Sequence, residues 1–170
     1  MGNAHPTSKQ LPVVAVSGCL LGQPVRYDGQ GKYTGLIAEE LKKHCRLLAV
    51  CPEVEIGLGV PREKIQLTLV DGQFKVLKTD ELDIDVSGLL ADFAIQFINQ
   101  HALSALVLQD KSPSCGIENT KLFSPTGEQI GLGSGLFAQT IIEIMPNLVI
   151  IQASQLQSKK DVQQFVKRLI

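Results

Sequence analysis

The chain lacks an excess of charge of either sign: sixteen Lys and Arg face seventeen Asp and Glu, a net charge of −1 over 170 residues. That balance gives no support to a broad nucleic-acid or anionic-membrane surface, although it leaves room for a local basic pocket. No apolar run approaches the roughly 18 residues that a membrane helix needs. The opening MGNAHPTSKQ has no apolar core of a secretory signal, and Pro6 stands where a myristoylation signal requires Ser or Thr. Residues 1–10 are therefore expected to form a flexible tail, residues 11–170 a single domain, and the protein is expected to be cytoplasmic. No internal repeat, low-complexity segment or interdomain linker divides the chain. No C-x-x-C pair occurs either, which argues against thioredoxin-type and zinc-ribbon patterns.

What remains is an ordinary globular composition, 44% apolar and 19% charged. LPVVAVSG (11–18), RLLAV (46–50), SALVLQ (104–109) and LVII (148–151) are short, apolar, β-branched-rich runs that suit buried strands. LIAEELKKHC (36–45) reads as a helix with Leu36, Ile37 and Leu41 on one face and Glu39 four residues before Lys43. Val86, Leu89, Leu90, Phe93 and Phe97 keep helical spacing from Asp85 to about His101. GLFAQTIIEIM also reads as a helix, and SKKDVQQFVKRLI as a terminal one with Ser158 and Asp161 at its cap. IQLTLV and QFKVLK alternate on either side of Asp71-Gly72, the pattern of a tight hairpin. The order predicts an α/β fold: a single-domain, three-layer, Rossmann-like arrangement with a mostly parallel sheet of about four strands and an inserted β-hairpin.

Four cysteines in a reducing compartment do not suggest a disulfide framework. Cys19, Cys51 and Cys115 each follow a predicted strand, and parallel α/β sheets form ligand sites beyond the carboxyl ends of their strands. Cys45 precedes the strand that Cys51 follows, which sets the two on the order of 20 Å apart at about 3.3 Å per residue. It is expected to be a packed structural thiol. Three convergent thiols are open to several meanings: coincidence, zinc with three cysteines and a water, or an iron–sulfur cluster with one iron left open. Distant ligands separated by Gly-rich loops suit a cluster better, but spacing alone does not choose.

VSGCLLGQPVRYDG, CPEVEIGLGVPRE and KSPSCG, in that order and at that spacing, resemble the thiouracil desulfidase family from about residue 13 to Met145. The resemblance implies a [4Fe-4S] cluster held by Cys19, Cys51 and Cys115, with a fourth iron open to sulfur. It implies hydrolytic, non-redox removal of that sulfur from a thiolated pyrimidine base or nucleotide of the thiouracil or 4-thiouridine monophosphate type. Matching the motifs brings over Glu53 and Ser112 as catalytic candidates: Glu53 as general acid/base, Ser112 to orient water or relay a proton. Family members commonly carry another cysteine before RYDG; here that position is Val25, so a mechanism that needs such a thiol would fail in this chain.

Arg26, Arg62 and Lys111 lie in the cysteine-bearing loops and are candidate substrate contacts, as are Gly133 and Ser134 in GLGSG (131–135), where backbone N–H groups at a predicted helix start would suit phosphate. Asp28 reads as a turn residue or a partner for Arg26. His5, His44 and His101 fall outside the motifs. With no extra domain and no basic excess, a free base or mononucleotide is favoured over thiolated tRNA. Two other classes stay open: an iron–sulfur or sulfide carrier without turnover, and a nucleotide-binding α/β domain with incidental thiols.

Overall fold

The first strand, β1 (Val13–Ser17), is buried on both faces, and its alternation sorts the interior into two layers. The computed structural model describes residues 10–170; the predicted tail therefore lies almost wholly outside the described residues, as does His5. Val14 and Val16 point into one core with Ile37, Leu41, Val162 and Phe165. Ala15 points into the other, with Phe97, Phe137 and Ile141. β1 pairs in parallel with β2 (Arg46–Val50) on one side and β5 (Ala105–Leu108) on the other, and β5 pairs with β8 (Val149–Gln152). The resulting order, β2-β1-β5-β8, is the expected parallel four-stranded sheet. Helices cover both faces. The turns at 36–43 and helix α4 (Lys159–Lys167) cover one, and α2 (Ser87–Gln100) and α3 (Leu136–Ile144) the other.

The chain leaves β1 toward β2 and later returns to the opposite side of β1 as β5, so the strand order reverses between β1 and β5. That is where parallel α/β sheets place their ligand sites, in the crevice beyond the carboxyl ends of the strands.

Asp71 and Gly72 both take positive φ, 50° and 77°, in the two-residue turn joining β3 (Ile65–Val70) to β4 (Gln73–Lys78). The hairpin is not a lone insertion. It joins β6 (Thr120–Phe123) and β7 (Gln129–Gly133) in a second sheet of order β4-β3-β6-β7. Sequence periodicity misses the added strands because they are short and glycines interrupt the second of them. Gly133 faces the core of this sheet, where an added Cβ would come within 2.9 Å of Leu67.

The segment expected as one regular helix at 36–45 also differs. Leu41 N–H donates to Leu36 C=O, five residues back, so Leu36–Glu40 forms a widened turn that passes into a tight one over Leu41–Lys43. Ile37 and Leu41 are still fully buried, as their spacing requires. Lys43 pairs with Glu40 at 2.7 Å rather than with Glu39, which instead accepts from the Tyr33 hydroxyl.

Candidate active site

Cys19 sits in the tight turn Gly18–Leu21 that ends β1, Cys51 between β2 and the short helix α1 (Pro52–Glu55), and Cys115 in the loop after β5. The three sheet strands that carry them are neighbours. Cys19 and Cys115 are buried, and Cys51 is partly so, its Sγ donating to Val25 C=O at 3.8 Å. Val25 thus faces Cys51 through its carbonyl, and its side chain packs on the core that contains Cys19.

Burial raises all three thiol pKa values, and repulsion from neighbouring thiols adds to it at Cys19 and Cys115. Cys19 feels Cys51, while Cys115 feels Glu53, Cys51 and Cys19. Backbone N–H groups of Val54 and Glu53 act in the opposite direction on Cys51, and the Ser17 hydroxyl does so on Cys115. Cys45 stands apart, within the core on the far side of β2, its thiol pushed up to about 11 by burial alone.

The donor set at the crevice is therefore three soft sulfurs. Neither His44 nor His101 joins them: His44 lies 3.9 Å from Glu40, and His101 packs on the Phe97 ring. Among the described residues, no three His, Cys, Asp or Glu side chains are grouped to hold a single metal ion. Thiols within electrostatic reach of one another form a soft donor set of the kind that zinc and iron–sulfur groups take.

A chain of hydrogen bonds runs beside the cysteines. Ser114 Oγ donates to Glu53 Oε2 at 2.7 Å and lies 3.0 Å from Ser112 Oγ. Ser112 Oγ also accepts the backbone N–H of Ser114 at 3.2 Å and of Cys115 at 3.1 Å. With its lone pairs so occupied, the Ser112 hydroxyl is directed to donate toward Ser114. Arg62 Nε donates to Glu53 Oε1 at 3.2 Å, and its Nη1 to Gly59 C=O at 3.0 Å. The side chains of Arg62 and Glu53 are only 5% and 14% exposed, so this is a nearly buried ion pair. Ser114, almost fully buried, joins the two catalytic candidates and went unnamed in the sequence reading. The signal available was its place between Ser112 and Cys115.

The other candidates divide. Arg62 lies in the site but is committed to Glu53, which turns a candidate substrate contact into a carboxylate anchor. Arg26 lies within electrostatic reach of Cys19, and so does Lys32, which the sequence reading passed over and whose N–H donates to Cys19 C=O at 2.7 Å. Asp28 is a turn residue, its Oδ1 accepting Gln30 N–H. Lys111 is exposed at a positive-φ corner, its backbone held by Asn119. Gly133 belongs to β7, and Ser134 Oγ accepts Glu118 N–H.

Two glycines set the Cys115 loop. A Cβ on Gly116 would stand 2.9 Å from Ser112 O and 3.0 Å from Ser112 N, and one on Gly135 would stand 2.4 Å from Ser114 C. Gly135 N–H donates to Gly116 C=O at 2.8 Å, pressing the start of α3 onto the loop. Gly135→Ala drives a methyl group into backbone that has no room to yield. We expect a loss of about 1–3 kcal/mol, hence a thermal midpoint about 2–12 °C lower by circular dichroism.

Comparison with known proteins gives three likenesses. The profile of the family described as 2-thiouracil desulfurase matches residues 14–153. An uncharacterized protein of Bacillus subtilis (strain 168), YbbK, is 26% identical over 113 residues, 61% of this chain and 73% of its own. Among solved structures, the [4Fe-4S]-dependent thiouracil desulfidase TudS superposes with a TM-score of 0.67 at 28% identity, covering 94% of this chain and 99% of that one.

Proposed function

The chain belongs to the 2-thiouracil desulfurase family, and from that premise we propose that it hydrolytically removes sulfur from thiolated pyrimidines, with Cys19, Cys51 and Cys115 holding a [4Fe-4S] cluster that keeps one iron open. The observation that carries this reading is the meeting of three strand-end thiols with the Ser112–Ser114–Glu53 chain at one crevice. When bound, the cluster supplies a thiophilic Lewis acid that draws charge onto a thiocarbonyl sulfur.

The protein's own residues then handle water and protons. The Glu53 side chain is held in place by Arg62 on one oxygen and Ser114 on the other. Glu53 takes a proton from the attacking water, and the Ser112 hydroxyl, donating through Ser114 to Glu53, keeps that carboxylate oriented on it. Water oxygen bonds to the ring carbon, the carbon–sulfur bond breaks, and sulfur leaves as hydrosulfide carrying one proton from water. The other returns from Glu53, so thiocarbonyl and water become carbonyl and hydrogen sulfide with no net electron transfer. Arg26 and Lys32, beside Cys19, suit the phosphate of a mononucleotide. The near-zero net charge favours a free base or mononucleotide over a nucleic acid.

Protein reconstituted anaerobically with iron and sulfide is expected to release sulfide from 2-thiouracil or 4-thiouridine monophosphate. A fully loaded protein that releases none would remove the enzymatic reading and leave a cluster or sulfide carrier. If replacing all three cysteines leaves the iron content of the reconstituted protein unchanged, the ligand assignment is wrong, and a nucleotide-binding domain with incidental thiols takes its place.

A further inference from the structure

Gln109 leaves β5 at the point where the strand order reverses, and its side chain is unusual. Its backbone N–H donates to Ser17 Oγ at 2.9 Å, joining the ends of β5 and β1. Its side-chain Nε2 donates to Asp110 C=O at 3.2 Å. Asp110 is itself fixed, its carboxylate accepting from Asn119 Nδ2 at 3.3 Å and from Ser154 N–H at 3.0 Å. The amide orientation follows from these contacts, and the end left over is the oxygen. Among the described residues, Gln109 Oε1 is the buried side-chain polar atom with no hydrogen-bond partner.

A buried acceptor without a donor costs about 1–3 kcal/mol, and such a group in a native protein calls for something to fill it. The neighbourhood indicates what. Ser17, which holds the Gln109 backbone, closes β1 two residues before Cys19. The stranded oxygen therefore belongs to a residue whose backbone is anchored at the strand end that leads into Cys19. A thiouracil ring placed with its sulfur at the cysteine crevice carries an N3–H on the atom next to the C=S carbon, whether sulfur is at position 2 or 4.

We infer that Gln109 Oε1 accepts the ring N3–H of the bound thiopyrimidine and so acts as a specificity-determining residue for lactam rings. Rings whose N3 carries no hydrogen, 3-methylated thiouracils and 2-thiocytosine among them, leave the acceptor unpaired and are rejected. This rests on the desulfidase reading of the same site and adds the atom that recognises the ring.

The test uses the anaerobically loaded protein and two variants, Gln109→Leu and Gln109→Met, of similar size without an acceptor. Binding of uracil and 3-methyluracil is measured by calorimetry, and kcat and KM with 2-thiouracil and 3-methyl-2-thiouracil. Wild type is expected to prefer the N3–H ring by roughly 10- to 100-fold, the worth of one buried hydrogen bond. In both variants the preference should shrink to within about threefold of unity, with the loss appearing in the N3–H ligand. The variants without ligand should melt at or above the wild-type temperature, because a stranded acceptor has gone. An undiminished preference in the variants overturns the assignment. So does a melting temperature lower by more than about 5 °C in both, the mark of an amide needed for folding. If loaded wild type releases sulfide while the preference persists in the variants, only the Gln109 assignment fails. If it neither releases sulfide nor binds either ring, the desulfidase reading fails and this inference with it.

Discussion

Cys115→Ala is expected to abolish anaerobic loading of the iron–sulfur group and to reduce sulfide release to that of cluster-free protein, whereas Cys45→Ala loads and turns over like wild type. All four thiols are soft donors, and both of these are buried, so neither residue type nor burial separates them. Position does. Cys45 lies at the start of β2, with the five residues Arg46–Val50 between it and Cys51, and it packs among Leu41, Val162 and Phe165. Cys115 lies at the same end of the sheet as Cys19 and Cys51, and both add to its reluctance to ionise. Iron and acid-labile sulfide content, with the visible spectrum, measures the difference directly. Loss of loading in Cys45→Ala, or its retention in Cys115→Ala, would contradict the three-plus-one division of the cysteines. Circular dichroism of both variants guards against simple unfolding, since each leaves a cavity no larger than a sulfur atom.

Glu53 carries the second large effect, and here the choice of variant separates chemistry from folding. Glu53→Gln keeps an oxygen to accept from Ser114 or Arg62 and fills the same space, so the loop geometry survives while the proton acceptor is gone. We expect kcat to fall about 10²- to 10⁴-fold, the usual contribution of positioned acid–base catalysis, with cluster content unchanged. Glu53→Ala does something further. Arg62, 5% exposed, is left as a nearly buried cation without its carboxylate. Breaking such a pair costs about 3 kcal/mol or more, on the order of 6–12 °C in melting temperature for a domain of this size. A Gln variant as active as wild type would remove Glu53 from proton transfer. An Ala variant as stable as wild type would show that the ion pair contributes little to the fold.

How far the sequence spoke depends on how local the cause was. β1 and the Asp71-Gly72 hairpin were legible because their signals lie within a few consecutive residues: an unbroken β-branched run, and a two-residue turn that demands positive φ. The three-plus-one division of the cysteines followed from strand order, itself carried by the alternation of strand and helix. The Glu53–Arg62 pair was not legible, since each charge read by itself is an ordinary loop residue. Ser114 needed a partner 61 positions away to acquire a role. The glycines of GLGSG were seen but given a different purpose. They suggested a cradle for phosphate, whereas Gly133 makes room for Leu67 and Gly135 for the backbone of Ser114. Close approach and turn flexibility leave the same letter in a sequence, and only packing tells them apart.

Helix α2 serves both sheets. Leu90 packs into the core of the second sheet, while Ala94 and Phe97, one and two turns on, pack into that of the first. Leu136 and Phe137 at the start of α3 divide in the same way. Neither sheet can lose its order without stripping the other of a wall, so the molecule has no half to release and should unfold as one cooperative unit. The cysteine crevice lies along that seam, where Arg62 leads toward β3 and Gly135 presses on Gly116. Cys51, partly exposed, is the thiol a reagent meets first, while Cys19 and Cys115 lie covered by the packed seam. Alkylation of the folded, cluster-free protein should therefore begin at Cys51, with Cys19 and Cys115 following only as the seam between the sheets opens.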